Sequence, residues 1–245
     1  MIKRNGYNEI LNDLKIEKET FFNIGFKNII GLNDELYQKK VKEKAKLFFS
    51  EKGEKIYYRE NNGKLKEHYD IIRKEIFYEY ECIESDDSKP IVKIVIDCLK
   101  KENNKSTKKI NYINIKKEYL QDYDLTHLWD ATQNPLLYSL PWNYYYMPKM
   151  IAPITDRNVR YDKDRVFLKR IMKTVIKKYK DEINLYNEFM KNKEAELKKY
   201  YYEKILTDDN IKDNQTVLNS FKTQFYYIDI ENKNLDNLYK EYIIK

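Results

Sequence analysis

The chain has 245 residues, of which 42% are hydrophobic and 36% charged, and its formal net charge is +7. A chain of this length can bury a core without disulfides or structural metals, and its two cysteines have no metal or redox spacing, which favours a reducing cytoplasm. The longest stretch without Lys, Arg, Asp or Glu, residues 131–148, contains three prolines, and the first seven residues have no apolar core, so we expect no membrane-spanning helix and no secretory signal.

The first half of the chain predicts helices followed by strands. Residues 7–49 have apolar positions spaced three and four apart, which is typical of helices. Residues 56–58 and 65–72 flank an Asn-Asn-Gly turn at 61–63 and predict a β-hairpin, with His68 as a surface residue on its second arm. Residues 75–83 continue as strand. All five glycines lie at or before Gly63 without a phosphate-binding pattern, which excludes P-loop and dinucleotide-binding enzymes.

The second half predicts a buried strand and then a long helix. Residues 91–99 are densely β-branched and predict a central strand buried on both faces, and residues 110–115 predict a further strand. Residues 135–153 are aromatic and proline-rich, which indicates an ordered loop with a short helix. From residue 164 an apolar stripe with helical spacing predicts a long helix, and residues 217–230 predict a helix followed by a strand.

These elements predict an α+β fold, with a central antiparallel sheet, N-terminal helices and a long C-terminal amphipathic helix. We divide the chain into an N-terminal helical region, residues 1–54, a β-rich core, residues 55–160, and a C-terminal helical region, residues 161–245. The last region is expected to pack on the core as one compact domain.

Positive charge is concentrated near the start of the long helix. Arg157, Arg160, Arg165 and Arg170 fall within 14 residues, beside Lys169, and residues 160–206 contain 14 basic against 8 acidic residues. Guanidinium groups grip phosphate bidentately, so this cluster predicts nucleic acid as the partner. The alternative is a solvated helix face that pairs with the neighbouring aspartates.

One short segment carries the pattern of a nuclease motif. His127 follows a segment of extended character, Asn143 comes sixteen residues later, and Met147 and Pro148 stand four and five residues beyond the asparagine. This spacing resembles the HNH, or ββα-metal, nuclease family over residues 125–155. In that family the histidine ends the first strand and the asparagine opens the closing helix, so the resemblance implies a helix after Asn143. The resemblance implies that His127 is the general base, that Asn143 holds the histidine or its loop, and that a Mg²⁺ or Mn²⁺ ion serves as cofactor.

The resemblance leaves the ligands of that ion open. Thr126 and Ala152 occupy the two positions where the family carries metal ligands. The nearby carboxylates of Asp124 and Asp130 are candidate ligands from shifted positions. A second nuclease pattern, an acid followed by acid-x-Lys on a strand, adds Asp97, although Leu99 stands where that lysine is expected. The alternative for Asp97 is a strand that ends in charges at the surface.

Three classes of function remain open. The first is a metal-dependent endonuclease, acting on duplex DNA in a restriction, phage or toxin context, for which a homodimer suits two-fold substrate symmetry. The second is a nucleic-acid-binding protein without catalysis. The third is a structural or interaction protein whose basic amphipathic helix forms a dimer seam.

Overall fold

The computed structural model of the chain describes residues 11–50, 55–59, 63–85, 89–99, 120–152, 162–231 and 240–244, and at residues 89 and 162–165 the backbone only. The helices are α1 Lys18–Lys27, α2 Glu35–Ser50, α3 Lys66–Glu75, α4 Lys89–Leu99, α5 Pro135–Ser139, α6 Asp162–Lys178, α7 Lys180–Tyr200 and α8 Gln215–Lys222. The strands are β1 Lys55–Arg59, β2 Glu81–Ser85, β3 Tyr123–His127, β4 Tyr144–Pro148, β5 Tyr226–Ile228 and β6 Lys240–Tyr242. A 3₁₀ turn, Pro141–Asn143, precedes β4, and a π-helical turn, Tyr201–Ile205, extends α7.

Within these residues the strands form three two-stranded sheets. β1 and β2 are parallel, whereas β3 and β4, like β5 and β6, are antiparallel. The α+β class and the long C-terminal helix are confirmed, and the single central antiparallel sheet is replaced by three small pairs.

The hairpin predicted around residues 61–63 is not formed. Residues 65–72 lie mostly in α3, because Tyr69, Ile72 and Ile76 recur at helical spacing and each is at most 3% exposed. Parallel strands need a crossover connection, and α3 lies on the path from β1 to β2. The strand predicted over residues 75–83 is shorter and later than expected. The packing of these side chains has overridden the turn signal of the Asn-Asn-Gly sequence at 61–63. Residues 61 and 62 themselves lie outside the described residues.

The buried strand predicted over residues 91–99 is also wrong, because these residues form α4. Ile91, Val95 and Cys98 are spaced by four and three and are at most 4% exposed, so they occupy one face of a helix. Pro90 lies in the first turn, where a proline is tolerated because its missing N–H has no helical partner. A short, dense apolar run satisfies the strand and the buried-helix pattern alike. The further strand predicted at residues 110–115 lies outside the described residues.

The apolar stripe of α6 and α7 is confirmed, and it faces the protein's own core. Its members between Ile171 and Leu197 are buried to 2% exposure or less: Ile171, Met172, Val175, Tyr179, Ile183, Tyr186, Met190 and Leu197. Asp181 and Glu182 lie in the first turn of α7, and Lys198 and Lys199 lie in its last turn, as the helix dipole favours. The stripe is therefore unavailable as the expected dimer seam.

One hydrophobic cluster spans the described chain from Ile29 to Ile244 and includes residues of all three predicted regions. It draws on both faces of the β3–β4 pair and on α2, α4, α6 and α7. No helix in the described ranges is long and apolar enough to cross a bilayer.

Candidate functional site

The side chain of His127 lies at the end of β3, where the strand leads into the loop of residues 128–134. His127 is opposite Tyr144 in the strand register, and the two ring centroids are 6.2 Å apart. The imidazole Nε2 lies 3.5 Å from Oδ1 of Asp130, and the two side chains are 36% and 23% exposed. The predicted base and one predicted carboxylate are therefore neighbours at a partly open site.

The amide of Asn143 fixes the loop that follows His127. Its Oδ1 accepts from the backbone N–H of Leu128 at 3.1 Å and of Trp129 at 2.7 Å. Its Nδ2 donates to the carbonyls of Trp129 at 2.9 Å and Leu137 at 3.2 Å. Asn143 is 1% exposed, so its role is to hold the histidine's loop from within the core.

The secondary structure after Asn143 differs from the pattern of the HNH resemblance. That pattern places a helix there, whereas residues 144–148 are β4, which pairs with β3 along its whole length. Three consecutive tyrosines at 144–146 and Met147 are each at most 3% exposed, so both faces of β4 are covered by core, as in a buried strand. The expectation of a closing helix is wrong, and the nuclease resemblance itself stays a prediction carried by His127 and Asn143.

The far end of the loop is joined to distant elements by a buried polar network around Gln133. Its Nε2 donates to the carbonyl of Arg59 at 2.8 Å, and its Oε1 accepts from Nη1 of Arg73 at 3.2 Å. The backbone N–H of Gln133 donates to Oε1 of Gln224 at 3.1 Å, and Asn134 caps α5 by accepting from the N–H of Leu137. These residues were not among the site residues predicted from the sequence. The available signal was the presence of uncharged polar side chains inside the apolar stretch 131–148.

Tyr144 forms an aromatic wall beside the histidine. Burial raises the pKa of its phenol well above the usual value, Tyr138 adds to the rise, and the Arg59 guanidinium opposes it. The hydroxyl has no hydrogen-bond partner among the described residues. The phenol is therefore protonated at neutral pH, and the charge of Arg59 acts on the same region.

The three predicted metal ligands are not brought together. Asp124 is exposed and, three positions before His127 on a strand, points to the opposite face. Asp97 is exposed on α4. Only Asp130 adjoins His127, and no three His, Cys, Asp or Glu side chains in the described residues are grouped so that they could hold a metal ion.

The predicted nucleic-acid-binding residues are only partly described. Arg157 and Arg160 lie outside the described residues, and Arg165 is placed in α6 by its backbone alone. Arg170 donates to Oδ1 of Asn23 at 2.6 Å and lies 4.7 Å from the Phe26 ring centroid, so it ties α6 to α1. Lys169 is half-buried, and it shares one helical face with the exposed Lys173 and Lys177.

His68, predicted as a surface residue on a strand, lies instead in α3. Its side chain is 13% exposed, Nε2 is 2.9 Å from Oδ2 of Asp208, and Nδ1 is 3.2 Å from the hydroxyl of Tyr200. It joins α3 to the end of α7 and to the segment that follows.

The fold and the loop together define an α+β protein with a partly exposed histidine–aspartate pair beside a small antiparallel sheet. A family model described as "Uncharacterised protein PM1201" matches residues 32–232, and the chain belongs to that family. It is similar to "Uncharacterized protein PM1201" of Pasteurella multocida (strain Pm70), with 25% identity over 208 residues that cover 82% of this chain and 87% of the relative. No solved structure matches the chain. The residues matched by the family model include β3, β4 and the segment between them.

Proposed function

We propose that this chain is a nucleic-acid phosphodiesterase, an endonuclease for which duplex DNA is the first substrate to test. His127 is its general base and Asp130 is the partner of that base. The observation that carries the proposal is the 3.5 Å approach of Nε2 of His127 to Oδ1 of Asp130 at a partly open strand end.

A histidine in this setting suits proton transfer. An imidazole titrates near neutral pH, and an adjacent carboxylate stabilises the positive charge that the ring acquires when it takes a proton. In the proposed step His127 takes a proton from water as the water oxygen bonds to phosphorus and the bond from phosphorus to an ester oxygen breaks. The leaving oxygen keeps the electron pair of that bond and takes a proton from solvent. The phosphodiester reaches the pair from solvent, because both side chains are partly exposed.

The surroundings support a fixed position for that base. Asn143 makes four side-chain hydrogen bonds, three of them to residues 128 and 129, directly after the histidine. A catalytic group is effective when its supporting shell limits its movement. Asn143 is accordingly a positioning residue in this proposal, which matches the part that the HNH resemblance assigns to it.

The Mg²⁺ or Mn²⁺ cofactor of the resemblance fits this site poorly as a resident ion. Asp130 is the one carboxylate beside His127 among the three predicted ligands, and the described residues form no cage around it. Mg²⁺ is commonly bound by one or two carboxylates together with substrate phosphates, so Asp130 is the side chain that would contribute. The cleavage assay in Mg²⁺, Mn²⁺ or EDTA measures metal dependence directly.

The test is cleavage of supercoiled plasmid, with an RNA of mixed sequence as second substrate, in Mg²⁺, Mn²⁺ or EDTA. We expect cleavage by the natural chain and a loss of about 10²- to 10⁴-fold in His127→Ala, the usual range for a general base. Asp130→Asn should also be impaired, whereas Asp124→Asn, an acid on the other face of the same strand, is the matched control and should be unaffected. Intact substrates under every condition, or full activity in His127→Ala, would refute the proposal.

Nucleic-acid binding without cleavage is the second candidate. It is favoured by the row Lys169, Lys173 and Lys177 on α6, of which the last two are exposed. It predicts retention of DNA that weakens steeply with salt and weakens further in Lys173→Glu/Lys177→Glu, with no cleavage.

A homodimer remains part of the endonuclease proposal, since two-fold DNA sites suit two-fold proteins. The contact would use a surface other than the α6–α7 stripe, which is buried within the chain. Light scattering at several protein concentrations, with and without DNA, measures the assembly directly.

A further inference from the structure

A groove lies between α2 and α4, with β1 at one end, and encloses a cavity of about 550 Å³. The two helices contribute matching sets of positions, 40, 43, 44, 47 and 48 from α2 and 90, 93, 94, 97 and 98 from α4. Each set follows the spacing of a single helical face. The groove is therefore a regular product of two packed helices, and it shares no residue with the His127 site.

The rim of the groove is rich in lysine. Lys40, Lys44, Lys55 and Lys93 line it, against two carboxylates, those of residues 43 and 97. Glu43 is also 3.9 Å from Lys39, a further cation beside the lining. Lys55 is 3.6 Å from Glu81, but that pair is more than half exposed on both sides, and such pairs are screened by solvent.

The lysine charge acts on the floor of the groove. Burial raises the pKa of the Cys98 thiol to about 12 and Asp97 adds to the rise, whereas Lys40 and Lys44 oppose it. The two ammonium groups are thus close enough to a 4%-exposed floor residue to influence its ionisation. A cavity with cations near its floor attracts anions.

The floor itself is apolar and aromatic. Phe48 is 1% exposed, and Nζ of Lys44 lies 5.3 Å from its ring centroid. Leu47 and Ile94 line the same cavity with part of their surface open to it. Ligand pockets typically measure about 300–1,000 Å³ and combine apolar walls with a few charged groups, and this groove has both properties.

We propose that the groove between α2 and α4 binds a small organic anion, with its apolar body on Leu47 and Ile94 and its acidic group among the lysines. The head group is a phosphate, sulfonate or carboxylate, since each offers oxygens to ammonium donors. The proposal is independent of catalysis at His127.

The test uses 8-anilino-1-naphthalenesulfonate, an organic anion with an aromatic body, titrated by fluorescence and by calorimetry. We expect one site per chain, and an affinity at least tenfold lower in Lys44→Glu/Lys93→Glu, in which a half-buried and an exposed lining cation are reversed. Lys191→Glu/Lys199→Glu makes the same change of charge at two exposed positions of α7 that do not line the groove, and should bind the probe as the natural chain does.

Competition then distinguishes the natural head group. Displacement of the probe by laurate indicates a carboxylate ligand, and displacement by adenosine monophosphate indicates a phosphate ligand. Thermal unfolding of each variant accompanies the titrations, because this probe also binds partly unfolded protein. Equal affinity in the groove variant and the natural chain, or an equal loss in the α7 control, would overturn the proposal.

Discussion

Substitution of Asn143 by alanine should be among the most destabilising single changes in the chain. The side chain makes four hydrogen bonds at 1% exposure. The Leu128 N–H keeps a second bond, to the Asn143 carbonyl at 2.9 Å. The N–H and carbonyl of Trp129 and the carbonyl of Leu137 lose this partner. At about 1–3 kcal/mol for each unpaired buried group, we expect a loss of about 4 kcal/mol, a large fraction of the roughly 5–15 kcal/mol by which a typical domain is stable.

Urea denaturation followed by tryptophan fluorescence measures this loss where it arises. The chain has two tryptophans, Trp129 and Trp142, whose rings pack edge to face at 5.7 Å. The amide bonds the backbone of Trp129, and Trp142 directly precedes Asn143. Asn187→Ala is the matched control. Its side chain makes two bonds to the backbone of Ile228 and is only partly buried, so about half the effect or less is expected. A loss below about 1 kcal/mol in Asn143→Ala would contradict the reasoning from unpaired buried groups.

Two further predictions concern the C-terminal half. Met190→Ala, at 0% exposure, should lower the free energy of unfolding by about 2–5 kcal/mol, whereas Met150→Ala, at 59% exposure, should change it by less than about 0.5 kcal/mol; similar losses would contradict the burial. The backbone N–H of Asn210, and then His68, hold the pKa of Asp208 below its usual value. That contribution is present above the unfolded pKa and lost as the pH falls through the folded one, so stability should decline below about pH 4, and less in Asp208→Asn. An unchanged acid slope in urea denaturation of that variant would refute the assignment.

The success of the sequence patterns depended on their length. The α6–α7 stripe extends over many turns, and only a helix places such a series on one face. Residues 91–99 form a run short enough to satisfy strand and helix patterns equally. Packing of one face of this run against the core determines that it forms the helix α4. The Asn-Gly signal near Gly63 failed for a related reason. It describes the turn alone, whereas the course of the chain after it depends on the burial of Tyr69 and Ile72.

In the candidate site, too, contacts within a short stretch of sequence could be predicted and contacts between distant residues could not. The HNH resemblance implies that Asn143 holds the histidine or its loop, and in the structure the amide is hydrogen-bonded to residues 128 and 129. The contacts of Gln133 join it to Arg73, 60 positions away, and to Gln224, 91 positions away. No local pattern encodes partners at that separation, because they meet only after α3 and α8 have packed.

The difference in burial between the supporting residues and the proposed catalytic pair makes it possible to separate an effect on cleavage from an effect on folding. Asn143 and Gln133 are buried and support the fold, so their variants change activity and stability together. His127 and Asp130 are 36% and 23% exposed, so their replacement should cost less stability than that of the 1%-exposed Asn143 or the 5%-exposed Gln133. A loss of cleavage in His127→Ala with unchanged unfolding therefore assigns the histidine to the chemistry, and a parallel loss in both measurements would assign it to the structure.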